Sequence, residues 1–143
     1  MDIEDGTATP LSPVSVELAF RGHRLVQDKP PASGGSDRGP MASEYLLGAL
    51  LACQHSTFVK VAAKRRVPAT PRSLRGELHF KDGAIARITV HFDLEAPASV
   101  TDGDLGTLLR LTDRACTISQ ALKTPIEAAY SRSTAPAASA SSR

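Results

Sequence analysis

Two cysteines, Cys53 and Cys116, carry the nucleophilic chemistry that this 143-residue sequence could perform. The thiolate form of cysteine is both a strong nucleophile and the form that peroxides oxidise. Cys53 lies in an apolar stretch that is typical of a helix, and Cys116 follows a second stretch of helical periodicity. The residues alone leave two interpretations open. The cysteines are either inert packing residues or a peroxidatic and resolving pair brought together by packed helices.

Gln54 is the residue that makes simple packing a poor explanation of the first stretch. At about 100° per residue, its side chain falls in the middle of an apolar stripe that includes Leu50 and Phe58. Cys53 falls at the edge of the same stripe. An amide buried there without a partner would cost about 1–3 kcal/mol. We therefore expect this part of the helix to face a polar pocket or a subunit interface.

The four histidines favour neither a metal site nor a Cys-His dyad. They show no HxxxH spacing, and the cysteines show no CxxC spacing, so we expect no metal and no metal cofactor. His55 lies two residues after Cys53, about 200° away on a helix, so a dyad between them is a weak alternative. The glycines form no nucleotide-binding pattern in the right context.

Composition and charge exclude several other classes of protein. A net charge of +2 and 4% aromatic residues disfavour a nucleic-acid binder. The basic run 64–66 is best explained as the cationic end of a helix. No apolar run reaches the roughly 20 residues of a membrane span, and the acidic start does not resemble a secretory signal. We therefore expect a cytoplasmic protein that has no membrane partner.

The elements that must position Cys53 can be read from the change of periodicity in the first half. Alternating apolar residues over 14–20 predict a strand, followed by a turn and a short second strand. The Pro- and Gly-rich segment 29–40 predicts a loop. A helix is then expected from residue 44 to about 66, where it must stop before Pro68.

The second half contains the strongest local signal. Asp82-Gly83 lies between two alternating segments and predicts a β-hairpin, with Leu74, Leu78 and Phe80 on one face of its first strand. A helix beginning at Thr101 or Asp102 leads to Cys116, either continuing beyond it or followed by a short second helix. A final strand follows Pro125.

The element order β-β-α-β-β-α-β predicts an α+β fold with antiparallel sheets. The predicted domain covers residues 14–132, between disordered tails at 1–13 and 133–143.

Two motifs resemble those of the OsmC/Ohr family. The segment "GGSDRGPMASEYLLGALLAC" is similar to the family's Gly-rich loop and cysteine-bearing helix, and "ACTISQALKTPIEA" is similar to its second cysteine motif. The resemblance covers residues 14–132. It implies an intertwined α+β homodimer that has two active sites at the subunit interface.

The resemblance also implies an activity and roles for particular residues. Family members with known activity are thiol peroxidases for organic hydroperoxides, so Cys53 would be the peroxidatic thiol and Cys116 the resolving thiol. An arginine held by a glutamate would activate Cys53. Arg21 matches that arginine best, with Arg24 and Arg38 as alternatives, and Glu44 is the candidate glutamate.

This sequence departs from the family pattern at both motifs. The family glutamate lies ten positions before the cysteine, where this chain has Ser43; Glu44 is nine before it. On a straight helix Glu44 would lie about 13.5 Å along the axis from Cys53 and roughly half a turn around it. Glu44 would then act only through the fold or from a partner subunit. In the second motif, Thr117 stands where proline is usual.

The resemblance implies no flavin or other cofactor, and a dithiol reductant such as one of the lipoyl type. The alternative from another class is a non-catalytic dimer that binds a small apolar ligand or thiol at the subunit interface.

Overall fold

The computed structural model describes residues 1–134, which form two compact units. The first comprises residues 1–46, and the second begins at residue 47. The prediction of one domain over 14–132 stays a prediction. The predicted C-terminal tail lies outside the described residues, except for Ser133 and Thr134.

The first unit is built on a three-stranded antiparallel sheet with the order β1-β2-β3. Its strands are β1 (Thr7–Ser12), β2 (Ser15–Phe20) and β3 (His23–Gln27). Residues 1–13 were expected to be disordered, but Thr7–Ser12 of this segment form β1. All six side chains of β1 are exposed. The strand therefore lacks an apolar pattern and forms because its backbone pairs with β2.

The loop after β3 is organised around one buried carboxylate, that of Asp28. It accepts hydrogen bonds from the backbone N–H groups of Lys29 at 2.8 Å, Ser36 at 3.3 Å and Arg38 at 3.2 Å. The Arg38 guanidinium also donates to it through Nε at 3.4 Å. The Lys29 N–H, followed by the other donors, lowers the pKa of Asp28 against the opposing effect of burial. The ionised carboxylate of Asp28 therefore stabilises the conformation of this loop through its bonds to three backbone N–H groups.

We expect Asp28→Asn to loosen this loop. Because the folded pKa is depressed, the stabilisation is present above the unfolded pKa and is lost as pH falls through the folded pKa. In the variant, hydrogen exchange at the amides of Lys29, Ser36 and Arg38 should be roughly tenfold faster or more at neutral pH. As the pH falls through the folded pKa of Asp28, the protection of these amides relative to their intrinsic exchange rates should decrease only in the wild type. Equal exchange in both proteins at neutral pH would contradict this role for Asp28.

Helix α1 (Ala42–Arg65) carries Cys53 and confirms the predicted helix closely. Its buried residues recur at every fourth position: Leu50, Gln54, Phe58 and Ala62. Arg66 follows with a φ of 57°, and the helix ends before Pro68 as expected. By length and composition, α1 could cross a membrane, but core helices of soluble proteins meet the same criteria.

The second unit contains a sheet of three strands in the order β4-β5-β6. They are β4 (Thr70–Lys81), β5 (Ala84–Glu95) and β6 (Ile126–Ser133). The predicted hairpin is confirmed, since Asp82 and Gly83 have φ angles of 52° and 80° between two antiparallel strands.

One pairing in this sheet differs from the antiparallel expectation. Strand β6 runs parallel to β5. The chain between them forms α2 (Asp102–Ala115) and α3 (Thr117–Ala121), which is long enough for the crossover that a parallel pair requires. The sheet is therefore mixed, and the α+β class is confirmed.

The predicted apolar face of β4 is also shorter than expected. Leu74 and Leu78 pack against the core, but Phe80 is 60% exposed. The strand register shifts between His79 and Phe80, which ends the regular pleat before the turn.

The core of the second unit lies between α1, β5 and α2. The inward side of β5 contributes four residues that are almost fully buried: Ile88, Val90, Phe92 and Leu94. Phe58 of α1 packs on Phe92 with ring centroids 5.5 Å apart. Helix α2 begins with the capping box of Thr101 and Asp104 and buries Leu105 and Leu108. This core holds the helix of Cys53 against the chain that leads to Cys116.

Candidate functional site

The two cysteine thiols lie side by side in the second unit. Cys116 Sγ donates a hydrogen bond to Cys53 Sγ at 2.8 Å, and both residues are free cysteines. Cys53 is half-buried on α1, and Cys116 is fully buried between α2 and α3. One thiol is thus open to a solute while its partner is shielded.

The break between two helices sets the position of Cys116. The residue is extended, with φ −73° and ψ 115°, so it ends α2 and begins α3 at one point. Its N–H bonds to Thr112 O at 2.9 Å, closing the last turn of α2. Its Sγ accepts the N–H of Ser119 at 3.4 Å, as an N-cap side chain does. Both bonds restrain the thiol against α1.

The surroundings of the two thiols shift their pKa values in opposite directions. Burial raises the pKa of Cys53, but hydrogen bonds from Cys116, from the Ile118 and Thr117 N–H groups and from Thr57 outweigh it, so the net pKa is lowered. Burial, followed by the bond that it donates to Cys53, raises the pKa of Cys116. The proton shared by the pair therefore stays on Cys116, and Cys53 becomes the thiolate.

The backbone donors to Cys53 were not predicted as such. The sequence predicts that one helix leads to Cys116 and that a second can follow it, and the structure adds that the Ile118 and Thr117 amides of this junction lower the pKa of Cys53. The only indication of these donors in the sequence is the predicted junction between two helices. The residues around Cys116 do not reveal which of the two sulfurs the junction amides face.

Gln54 is 1% exposed and faces α3. Its Nε2 donates to Ser119 Oγ at 3.2 Å. Its Oε1 has no hydrogen-bond partner among the described residues. The polar surroundings predicted for Gln54 are thus supplied by the short helix that follows Cys116.

The predicted arginine–glutamate pair is not formed within the first unit. Arg21 lies exposed in the turn between β2 and β3, and Glu44 lies exposed in the first turn of α1. The Glu44 carboxylate accepts the N–H of Met41 at 2.7 Å, and among residues 1–134 neither side chain forms an ion pair. Their roles at Cys53 stay predictions.

The two alternative arginines have other partners. Arg24 forms an ion pair with Glu17 on the neighbouring strand. Arg38 binds Asp28 and donates to Ser15 Oγ at 3.0 Å. Both arginine side chains therefore form contacts that stabilise the first unit. Among residues 1–134, no group of three or more His, Cys, Asp or Glu side chains is placed to hold a metal ion.

The α+β fold and the two adjacent free cysteines, whose pKa values shift in opposite directions, define a small protein whose candidate site is a pair of thiols. The family model of OsmC-like proteins matches residues 34–131, and the chain belongs to the OsmC family. No curated protein sequence matches the chain.

Solved structures share this fold at low sequence identity. An OsmC-like protein of unknown function from Vibrio cholerae has a TM-score of 0.74 at 15% identity, covering 92% of this chain and 100% of its own. An OsmC-like protein from Mycoplasma pneumoniae has 0.73 at 17% identity, covering 92% and 97%. The organic hydroperoxide resistance protein OhrB of Bacillus subtilis has 0.62 at 14% identity, covering 92% and 98%. These likenesses establish the fold.

Proposed function

We propose that this protein is a thiol peroxidase that reduces organic hydroperoxides and thereby protects the cell from oxidative stress. The observation that carries the proposal is the 2.8 Å contact between a half-buried thiol of lowered pKa and a buried thiol of raised pKa. A low-pKa, partly exposed thiol beside a second thiol is the arrangement typical of a peroxidatic and a resolving cysteine. Membership of a family that includes organic hydroperoxide resistance proteins supports the proposal.

In the first step, the Cys53 thiolate attacks the terminal oxygen of the hydroperoxide. The O–O bond breaks, Cys53 becomes a sulfenic acid, and the alkoxide leaves and takes up a proton to give the alcohol. Cys53 is the nucleophile because its pKa is lowered and its side chain is partly exposed.

In the second step, the Cys116 thiolate attacks the sulfur of the Cys53 sulfenic acid. A disulfide forms, and the hydroxyl group leaves with a proton as water. The thiols are already adjacent, so the step needs no large movement of α1. Cys116 is fully buried, which protects it from direct oxidation.

The cycle then requires two electrons from outside the chain. We propose a dithiol of the lipoyl type, which would attack the disulfide and leave as its own cyclic disulfide while both cysteines regain their protons. We propose the reducing cytoplasm as the compartment, where such a reductant keeps both cysteines as thiols.

A homodimer is part of this proposal. The buried residues of α1 are Leu50, Gln54, Phe58 and Ala62, so the opposite face of the helix, which includes the exposed Val59, is left for a second copy to cover. We propose that Arg21 and Glu44, which are unpaired with each other in one chain, support Cys53 in such a dimer.

The direct test uses the reduced wild-type protein and one equivalent of cumene hydroperoxide. We expect loss of both free thiols, one intramolecular disulfide between the Cys53 and Cys116 peptides, and one equivalent of alcohol, measured by thiol titration, peptide mass and chromatography. If both thiols stay reduced in the folded protein, the peroxidase proposal is wrong. The alternative, a dimer that binds an apolar ligand or thiol, would then gain support.

A further inference from the structure

We propose that Gln54 and Ser119 are positioning residues for the resolving step, forming a hydrogen-bond relay that aligns Cys116 and stabilises its thiolate. The inference rests on the proposed function, because it assigns roles within the same cysteine pair. It adds two residues outside the pair to the site.

The relay runs across the contact between α1 and α3. Gln54 Nε2 donates to Ser119 Oγ at 3.2 Å. Ser119 donates its backbone N–H to Cys116 Sγ at 3.4 Å, and its hydroxyl lies close enough to the same sulfur to lower the pKa of Cys116. Cys116 in turn donates to Cys53 Sγ at 2.8 Å. Each member donates to the next, in the direction of the peroxidatic sulfur.

The resolving step explains why Cys116 needs these donors. The pKa of Cys116 is raised by burial and by its bond to Cys53, which keeps it protonated while Cys53 is the thiolate. Once Cys53 is oxidised, Cys116 must lose that proton to attack the sulfenic acid. The two donors of Ser119 are then the groups placed to stabilise the buried Cys116 thiolate.

Gln54 is needed to direct the Ser119 hydroxyl. Its Nε2–H occupies a lone pair of Ser119 Oγ, so the Ser119 proton is free to point at Cys116, and bonds in such a chain strengthen one another. Keeping Gln54 has an energetic cost, since its Oε1 is buried without a partner among the described residues. A buried apolar side chain of similar size would avoid that cost, so folding alone does not account for a glutamine at this position.

The test follows the resolving step separately from the first step. In the reduced full-length protein, rapid quenching after one equivalent of cumene hydroperoxide resolves sulfenic acid from disulfide by mass. We expect Ser119→Ala to slow disulfide formation by roughly tenfold at neutral pH while Cys53 oxidation keeps its wild-type rate. The pH profile of the resolving step should move to higher pH. Ser119→Thr, which keeps a hydroxyl, should restore most of the rate.

Gln54→Met conserves volume and tests the far end of the relay. We expect it to fold with at least wild-type stability and to slow disulfide formation by a few-fold. Ser56→Ala is the matched control. Among residues 1–134 the Ser56 hydroxyl bonds the Cys53 carbonyl alone, so its removal should leave both steps unchanged.

A second measurement distinguishes failure of the relay from failure of the proposed function. In a Cys53→Ser background, titration of Cys116 by thiolate absorbance requires no peroxide. The relay predicts that adding Ser119→Ala moves this titration to higher pH. An unchanged titration in a folded protein would overturn the relay even if the wild type reduces hydroperoxides. A shifted titration would support it even if the wild type does not.

Discussion

Cys53→Ser is expected to abolish hydroperoxide consumption, whereas Cys116→Ser is expected to react once and then stop. The serine hydroxyl does not ionise near neutral pH, so the first variant lacks a nucleophile. The second keeps the Ile118 and Thr117 N–H groups as donors to Cys53, and its sulfenic acid has no neighbouring thiol to resolve it. Excess peroxide should therefore drive Cys53 of this variant to sulfinic and sulfonic acids.

The measurement is peroxide consumption, with a dithiol reductant for the wild type and Cys53→Ser and without reductant for Cys116→Ser, because a dithiol can itself reduce a sulfenic acid. It is combined with the mass of the Cys53 peptide. The wild-type rate should rise with pH through a pKa below the ordinary thiol value, because the folded environment lowers the pKa of Cys53. Cys116→Ala should shift this profile to higher pH, since it removes the donor to Cys53, whereas Cys116→Ser keeps a hydroxyl in its place. Turnover by Cys53→Ser at the wild-type rate would contradict the assigned nucleophile.

Phe58→Ala is expected to destabilise the protein by about 3–5 kcal/mol, the usual cost of removing a buried aromatic side chain. Phe58 is fully buried and lies on α1, the helix that also carries Cys53. Its ring packs on that of Phe92 in β5. The substitution would leave a cavity and remove the ring contact that packs α1 against the sheet.

Urea unfolding followed by circular dichroism checks this prediction. Lys60→Ala is the control on the same helix, because Lys60 is exposed and its replacement should change the free energy of unfolding by less than about 0.5 kcal/mol. A loss for Phe58→Ala no larger than that of the control would contradict the central position of Phe58 in the core.

Local features of the structure were predictable because nearby residues determine them. Asp82-Gly83 accepts the positive φ angles of a tight hairpin turn, so the turn forms wherever the strands end up. Pro68 stops α1, and the side chains of Thr101 and Asp104 begin α2 through bonds made within a single turn. Gln54 was identified as anomalous because its place on the helix follows from the helical period alone.

Features that depend on distant pairing were not predictable in the same way. Strand β1 has no buried side chain, so its formation depends on backbone pairing with β2 and not on an apolar pattern of its own. The parallel direction of β6 depends on how α2 and α3 cross the sheet. The register shift before Phe80 depends on the neighbouring strand and not on the alternation of β4 itself.

The turns, the helix limits, the α+β class and the choice of the two cysteines as candidates for chemistry all follow from the amino-acid sequence. The contact between the two sulfurs, the lowered pKa of Cys53 and the link from Gln54 through Ser119 to Cys116 are visible only in the folded chain. The difference lies in the range of the interactions. Turn and cap geometry is set within a few residues, whereas the pKa of a thiol depends on burial and on donors that the fold brings from elsewhere in the chain.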